Sequence, residues 1–114
     1  MDLDREFRNF STELQQNLAE QGTQVQETLI GLQEKCYTYA GNNGDKFVSC
    51  MYDTTKRLEK EQRKLELKTA FYQAKLGECF EANKDNADGI KKCKQTTIEN
   101  LKKSFIDFAN NVKN

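Results

Sequence analysis

Apolar residues in the first third of the chain fall at Leu3, Phe7, Phe10, Leu14, Leu18, Val25, Leu29, Leu32 and Cys36. Steps of three and four draw one stripe along a helix, which predicts an element over about residues 3–39. A four-residue stutter near Leu14–Leu18 and Gly22 interrupt the stripe, and Ser11 or Thr12 could cap a shorter start. The run then meets Ala40-Gly41-Asn42-Asn43-Gly44-Asp45, whose glycines and asparagines tolerate positive φ and turn the chain. Asp45 is the expected N-cap of a second helix over about 46–82, with Phe47, Met51, Leu58, Leu65, Tyr72, Leu76 and Cys79 on its apolar face. A second turn at Asn83–Gly89 places Asp88 where the next N-cap belongs. The third helix, over about 89–112, carries Ile90, Cys93, Thr97, Ile98, Leu101, Phe105, Phe108 and Val112.

Three amphipathic helices joined by two short turns predict an all-α, elongated antiparallel three-helix bundle, one domain over residues 1–114. Composition narrows this further. Only 36% of residues are apolar and 32% are charged, against about 45–50% apolar in an ordinary domain. Such a chain builds narrow seams rather than a thick core. With no proline, long helices go unbroken.

The four cysteines give the pattern its symmetry. Cys36–Cys50 and Cys79–Cys93 have the same spacing, and laying Cys36–Lys60 over Cys79–Lys103 gives seven identities in 25 positions. Shared are Asn43/Asn86, Asp45/Asp88, Thr54/Thr97, Leu58/Leu101, Lys60/Lys103 and the cysteines. The repeated unit is a helical hairpin. Each cysteine pair straddles its turn symmetrically, so its members face each other across the seam, within the Cα separation of about 4.4–6.8 Å that a disulfide requires. Bridges Cys36–Cys50 and Cys79–Cys93 follow from this register. Nested pairing, Cys36–Cys93 with Cys50–Cys79, would need a turn near Arg63 that residues 51–78 do not signal. Reduced cysteines packed as small apolar groups are the other alternative.

Chemistry is scarce. Histidine is absent, and no nucleophile motif, phosphate loop or paired-carboxylate motif is present, so the chain reads as non-enzymatic, without cofactor or small-molecule substrate. A zinc site is not expected, because Cys50 and Cys79 sit on one helix about 43 Å apart at 1.5 Å per residue. The net charge is zero, which offers no general field for nucleic acid. Residues 1–55 carry four Lys/Arg against nine Asp/Glu, a net −5, and the remainder carries +5. Halves of opposite sign suit folding back on one another. No stretch approaches the 18 apolar residues of a membrane span, and the acidic start lacks the apolar region of a secretory signal.

Because Val112 pairs near Lys60 in this register, the third helix ends early. The first hairpin, roughly residues 30–57, should project as a two-helix tip. Tyr37, Tyr39, Phe47, Val48, Met51 and Tyr52 lie there, more large side chains than two helices can bury. They are the candidate partner contacts, since such residues are enriched in interface cores. Seam packing of half of them, with the rest scattered, is the alternative.

Cysteines paired across helical hairpins resemble the twin-cysteine proteins of the mitochondrial intermembrane space, the class of the coiled-coil-helix-coiled-coil-helix proteins and the small Tim chaperones. The layout is most similar to a family of small three-helix proteins there, in which each hairpin carries paired C-x-x-x-C motifs. Cys36 and Cys50 match that family's inner cysteines in spacing, and the 28 residues between Cys50 and Cys79 match its middle helix. Its outer cysteines would fall near Leu32 and Thr54 here, and the second hairpin is shorter. The resemblance implies location in the intermembrane space, peripheral to the inner membrane. It also implies work as an accessory subunit of a respiratory-chain or ATP-synthase assembly. A soluble chaperone or assembly factor of the same space is the alternative. A cytosolic coiled-coil or cytoskeletal protein with reduced cysteines is another.

Overall fold

The computed structural model describes residues 3–113, and the side chains of all of these except Leu3, Asp4 and Phe7. Those side-chain exceptions include the first two members of the leading apolar stripe. Three helices account for the fold: α1, Leu3–Ala40; α2, Gly44–Ala82; and α3, Ala87–Lys113. They run up, down and up, and every pair of helices is in contact. The molecule is a rod of 64 × 20 × 19 Å with a radius of gyration of 18.5 Å, where a compact chain of about 100 residues would have roughly 13 Å.

Helix α1 runs unbroken from Leu3 through the stutter and Gly22, so neither Ser11 nor Thr12 starts it. Packing outweighs the small local cost of one glycine, about 1 kcal/mol relative to alanine. The caps differ from expectation. Helices α2 and α3 begin two residues earlier than the aspartates imply, and Asn43 rather than Asp45 caps α2. Its side-chain oxygen accepts from the backbone N–H groups of Asp45 at 3.0 Å and Lys46 at 3.2 Å. Asn86 plays the same part for α3, accepting from Gly89 N–H at 3.1 Å. The aspartates instead occupy the first turn of each helix, where a negative charge favours the positive end of the helix dipole. Asparagine wins because its amide oxygen reaches the orphan donors from the residue just outside the helix. Gly41, at φ 57°, supplies the left-handed residue that ends α1.

Two apolar clusters hold the helices together. At the end carrying the second turn, Phe10 of α1, Leu76 and Phe80 of α2, and Ile90 and Cys93 of α3 pack with Leu14, Cys79 and Ile98. Farther along, Leu32, Phe108 and Val112 pack with Val25, Leu29, Leu58 and Leu65. The second cluster marks where α3 runs out, and α1 and α2 continue without it. From about residue 33 to 57 the rod is two helices thick.

Candidate functional site

Both hairpin ends are closed covalently. The Cα atoms of Cys36 and Cys50 lie 5.5 Å apart and those of Cys79 and Cys93 5.8 Å apart, each pair joined as a disulfide. The direct pairing therefore stands over the nested one. Mirror symmetry across a turn is what brings each pair together, and the two bridges are buried from opposite sides. Cys36 is buried while Cys50 is half-buried; Cys93 is buried while Cys79 is half-buried.

The repeat extends into the seam. Thr54 and Thr97, equivalent in the two units, are both buried. The Thr54 hydroxyl lies 3.6 Å from Cys36 Sγ, and the Thr97 hydroxyl donates to Cys93 O at 2.9 Å. Leu32 and Thr54, where a C-x-x-x-C family would place an outer bridge, are both buried.

The two-helix tip exposes most of its large side chains. Tyr37 is 73% exposed, Tyr39 66%, Val48 64% and Tyr52 62%, with Ile30 nearby at 58%. Phe47 and Met51 are half-buried. Of the six candidate contacts, four therefore face solvent and two lean into the seam. Lysines sit over two of the rings: Lys46 Nζ lies 5.8 Å from the Tyr39 centroid and Lys56 Nζ 4.6 Å from that of Tyr52. Such contacts at exposed sites contribute about 0.5–1 kcal/mol each.

Two polar features fell outside the apolar stripes. Glu61 is 8% exposed and sits seven residues after Thr54 in the α2 seam. Lys64 Nζ donates to Glu61 Oε1 at 3.1 Å, and Asn111 Nδ2, from the end of α3, donates to Glu61 Oε2 at 3.2 Å. The seven-residue step Phe47, Thr54, Glu61 was legible in sequence as a continuation of the seam. The second feature is Lys94, whose Nζ lies 2.9 Å from Glu6 Oε2 and 4.0 Å from Glu13 Oε1. Glu6 and Glu13 open a run at seven-residue steps that continues through Glu20, Glu27 and Glu34, a flank where charges set helix pairing. The opposite charges of the two halves meet there, α3 against α1.

The hydrogen bond from Lys64 holds the Glu61 carboxyl below its ordinary pKa, aided by Asn111 and the nearby Lys60 charge and opposed by burial. A depressed carboxylate pKa stabilises the fold above the ordinary carboxylate range, and that contribution disappears as pH falls through the folded value. Urea midpoints are expected to drop on acidification below about pH 4.3, the ordinary Glu value. Glu61→Gln should lower the midpoint at neutral pH and flatten this acid limb; an unchanged acid limb would show that Glu61 does not contribute to it.

Among the described residues no group of three or more His, Cys, Asp or Glu side chains is placed to hold a metal ion. Within the same residues no helix is long and apolar enough to cross a membrane. No family model, curated protein or solved structure matches this chain.

Proposed function

We propose that this protein is a non-enzymatic accessory subunit that docks into a larger protein assembly through its two-helix tip. The observation that carries this reading is the exposure of Tyr37, Tyr39, Val48 and Tyr52 on a hairpin end closed by the Cys36–Cys50 bridge. Large amphipathic rings on a covalently closed support lose little conformational entropy when they are covered, which favours their use as anchors. Two disulfides in a chain this poor in core support an oxidising compartment. The resemblance of the cysteine layout to twin-cysteine proteins supports the mitochondrial intermembrane space as that compartment, and an inner-membrane complex of the respiratory chain or ATP synthase as the partner.

A second reading, a soluble chaperone or assembly factor of that space, gains from Leu67 and Phe71, 66% and 55% exposed on the middle of α2. A client-binding surface would use them. Replacing Tyr39 and Tyr52 together by alanine distinguishes the two. Loss of co-migration with membrane complexes on native gels, with an unchanged circular-dichroism melt, is the expected result for a docked subunit. Undiminished co-migration of the double variant would remove the tip from the interface and the proposal with it.

A further inference from the structure

The second disulfide has surroundings that the first does not share. Between α2 and α3 runs a groove of about 500 Å3, lined by Phe71, Tyr72, Lys75, Asn83, Lys92 and Thr96 and bordered by Cys79 and Cys93 themselves. Phe71 is 55% exposed, so the groove is open along one wall. Cys79 is half-buried and Cys93 only 3% exposed, which makes Cys79 the cysteine that an entering reagent meets first.

Asn83 is fixed over this bridge. Its Nδ2 donates to Cys79 O at 2.9 Å and lies 3.9 Å from Cys79 Sγ and 3.8 Å from Cys93 Sγ. Gly89 makes room for it, since a Cβ at that position would collide with the Asn83 amide. Two cations stand at the rim. Lys75 reaches Glu78 Oε2 at 3.4 Å and lies 5.7 Å from the Phe71 ring centroid, and Lys92 is exposed.

We propose that this groove is a thiol-exchange site for a low-molecular-weight thiol that carries carboxylates. The thiolate of the ligand attacks Cys79 Sγ. A new S–S bond forms there as the Cys79–Cys93 bond breaks, and the electron pair leaves on Cys93 Sγ as a thiolate. One disulfide is exchanged for another, with no net oxidation. The amide N–H of Asn83 donates to the departing Cys93 thiolate, and Lys75 and Lys92 hold the carboxylates of the ligand. Return attack by Cys93 on Cys79 Sγ expels the thiol and restores the bridge, so the step is reversible. Opening this staple loosens α2 from α3 in the thick part of the rod and leaves the Cys36–Cys50 tip closed.

The test uses the full chain with both bridges formed, exposed to reduced glutathione, then acid-quenched, alkylated and mapped as peptides. The expected first product carries glutathione on Cys79 and the alkyl group on Cys93, with Cys36–Cys50 intact. Lys75→Glu with Lys92→Glu should slow this product about tenfold, as expected when two charge contacts to the ligand are lost. The same variant should slow 2-mercaptoethanol, whose attacking thiolate brings a single charge and no carboxylate, distinctly less than it slows glutathione, and circular dichroism checks that it folds. First adducts on Cys36, Cys50 or Cys93 would overturn the proposal. So would equal slowing, or no slowing, with both thiols.

Discussion

Replacing Phe80 by alanine is expected to lower stability by about 3–5 kcal/mol, the cost of emptying a large buried site that cannot collapse. Phe80 has no exposed surface, and it packs in one cluster with Phe10 from α1 and Ile90 and Cys93 from α3. With Leu76, Ile90 and Cys93 it helps to hold the start of α1 against the second hairpin. A native domain has about 5–15 kcal/mol in total, so a loss of this size removes much of the margin. Urea midpoints measure it directly. A loss below about 1.5 kcal/mol, the range of a volume-conserving swap, would mean that neighbouring residues refill the site and that the cluster is not the anchor described.

The two disulfides should differ in how their removal is felt, although each closes a loop of the same length. In the loop-entropy model each contributes about 3 kcal/mol. Cys79→Ala with Cys93→Ala cuts into the three-helix cluster, where Cys93 is 3% exposed, and should lower the global melting temperature by on the order of 10 °C. Cys36→Ala with Cys50→Ala acts at the two-helix end, beyond the reach of α3. There the loss should appear first as faster amide exchange over residues 33–57, ahead of any matching fall in the global midpoint. Alanine is the right replacement, because serine would add a polar hydroxyl at the buried Cys36 and Cys93 positions. Equal global shifts for both pairs would show that the rod unfolds as one cooperative unit, tip included.

Much of the molecule could be read from the chain. Helix number, order and extent follow from the three-to-four spacing of apolar residues and from the absence of proline. The duplication about Asn43 and Asn86 gave the turns, the antiparallel register and, through it, both cysteine pairings. These are local or symmetric properties, which need no knowledge of how helices are arranged in space.

Sequence alone does not separate Asn43 from Asp45, or Asn86 from Asp88, as caps, because all four are good N-cap types by composition. Only the backbone decides which one stands just outside the first turn. Glu61 does not stand out in a stripe of apolar residues, whereas the seam follows the seven-residue step and admits a carboxylate where α3 ends and Asn111 can reach it.

By itself the sequence determined an elongated three-helix rod, with a cysteine pair facing across the seam near each turn and more aromatic residues at one end than that end can bury. Local periodicity and the internal repeat suffice for that. Tertiary structure alone decided that Tyr37, Tyr39, Val48 and Tyr52 face solvent while Phe47 and Met51 lean inward. It also decided that Lys94 joins α3 to Glu6 of α1 and that Asn83 sits over the second bridge beside an open groove. Each of these depends on the rotation of a helix about its axis and on where the third helix stops. Both are set by how the three faces pack together, and no single stretch of chain encodes them.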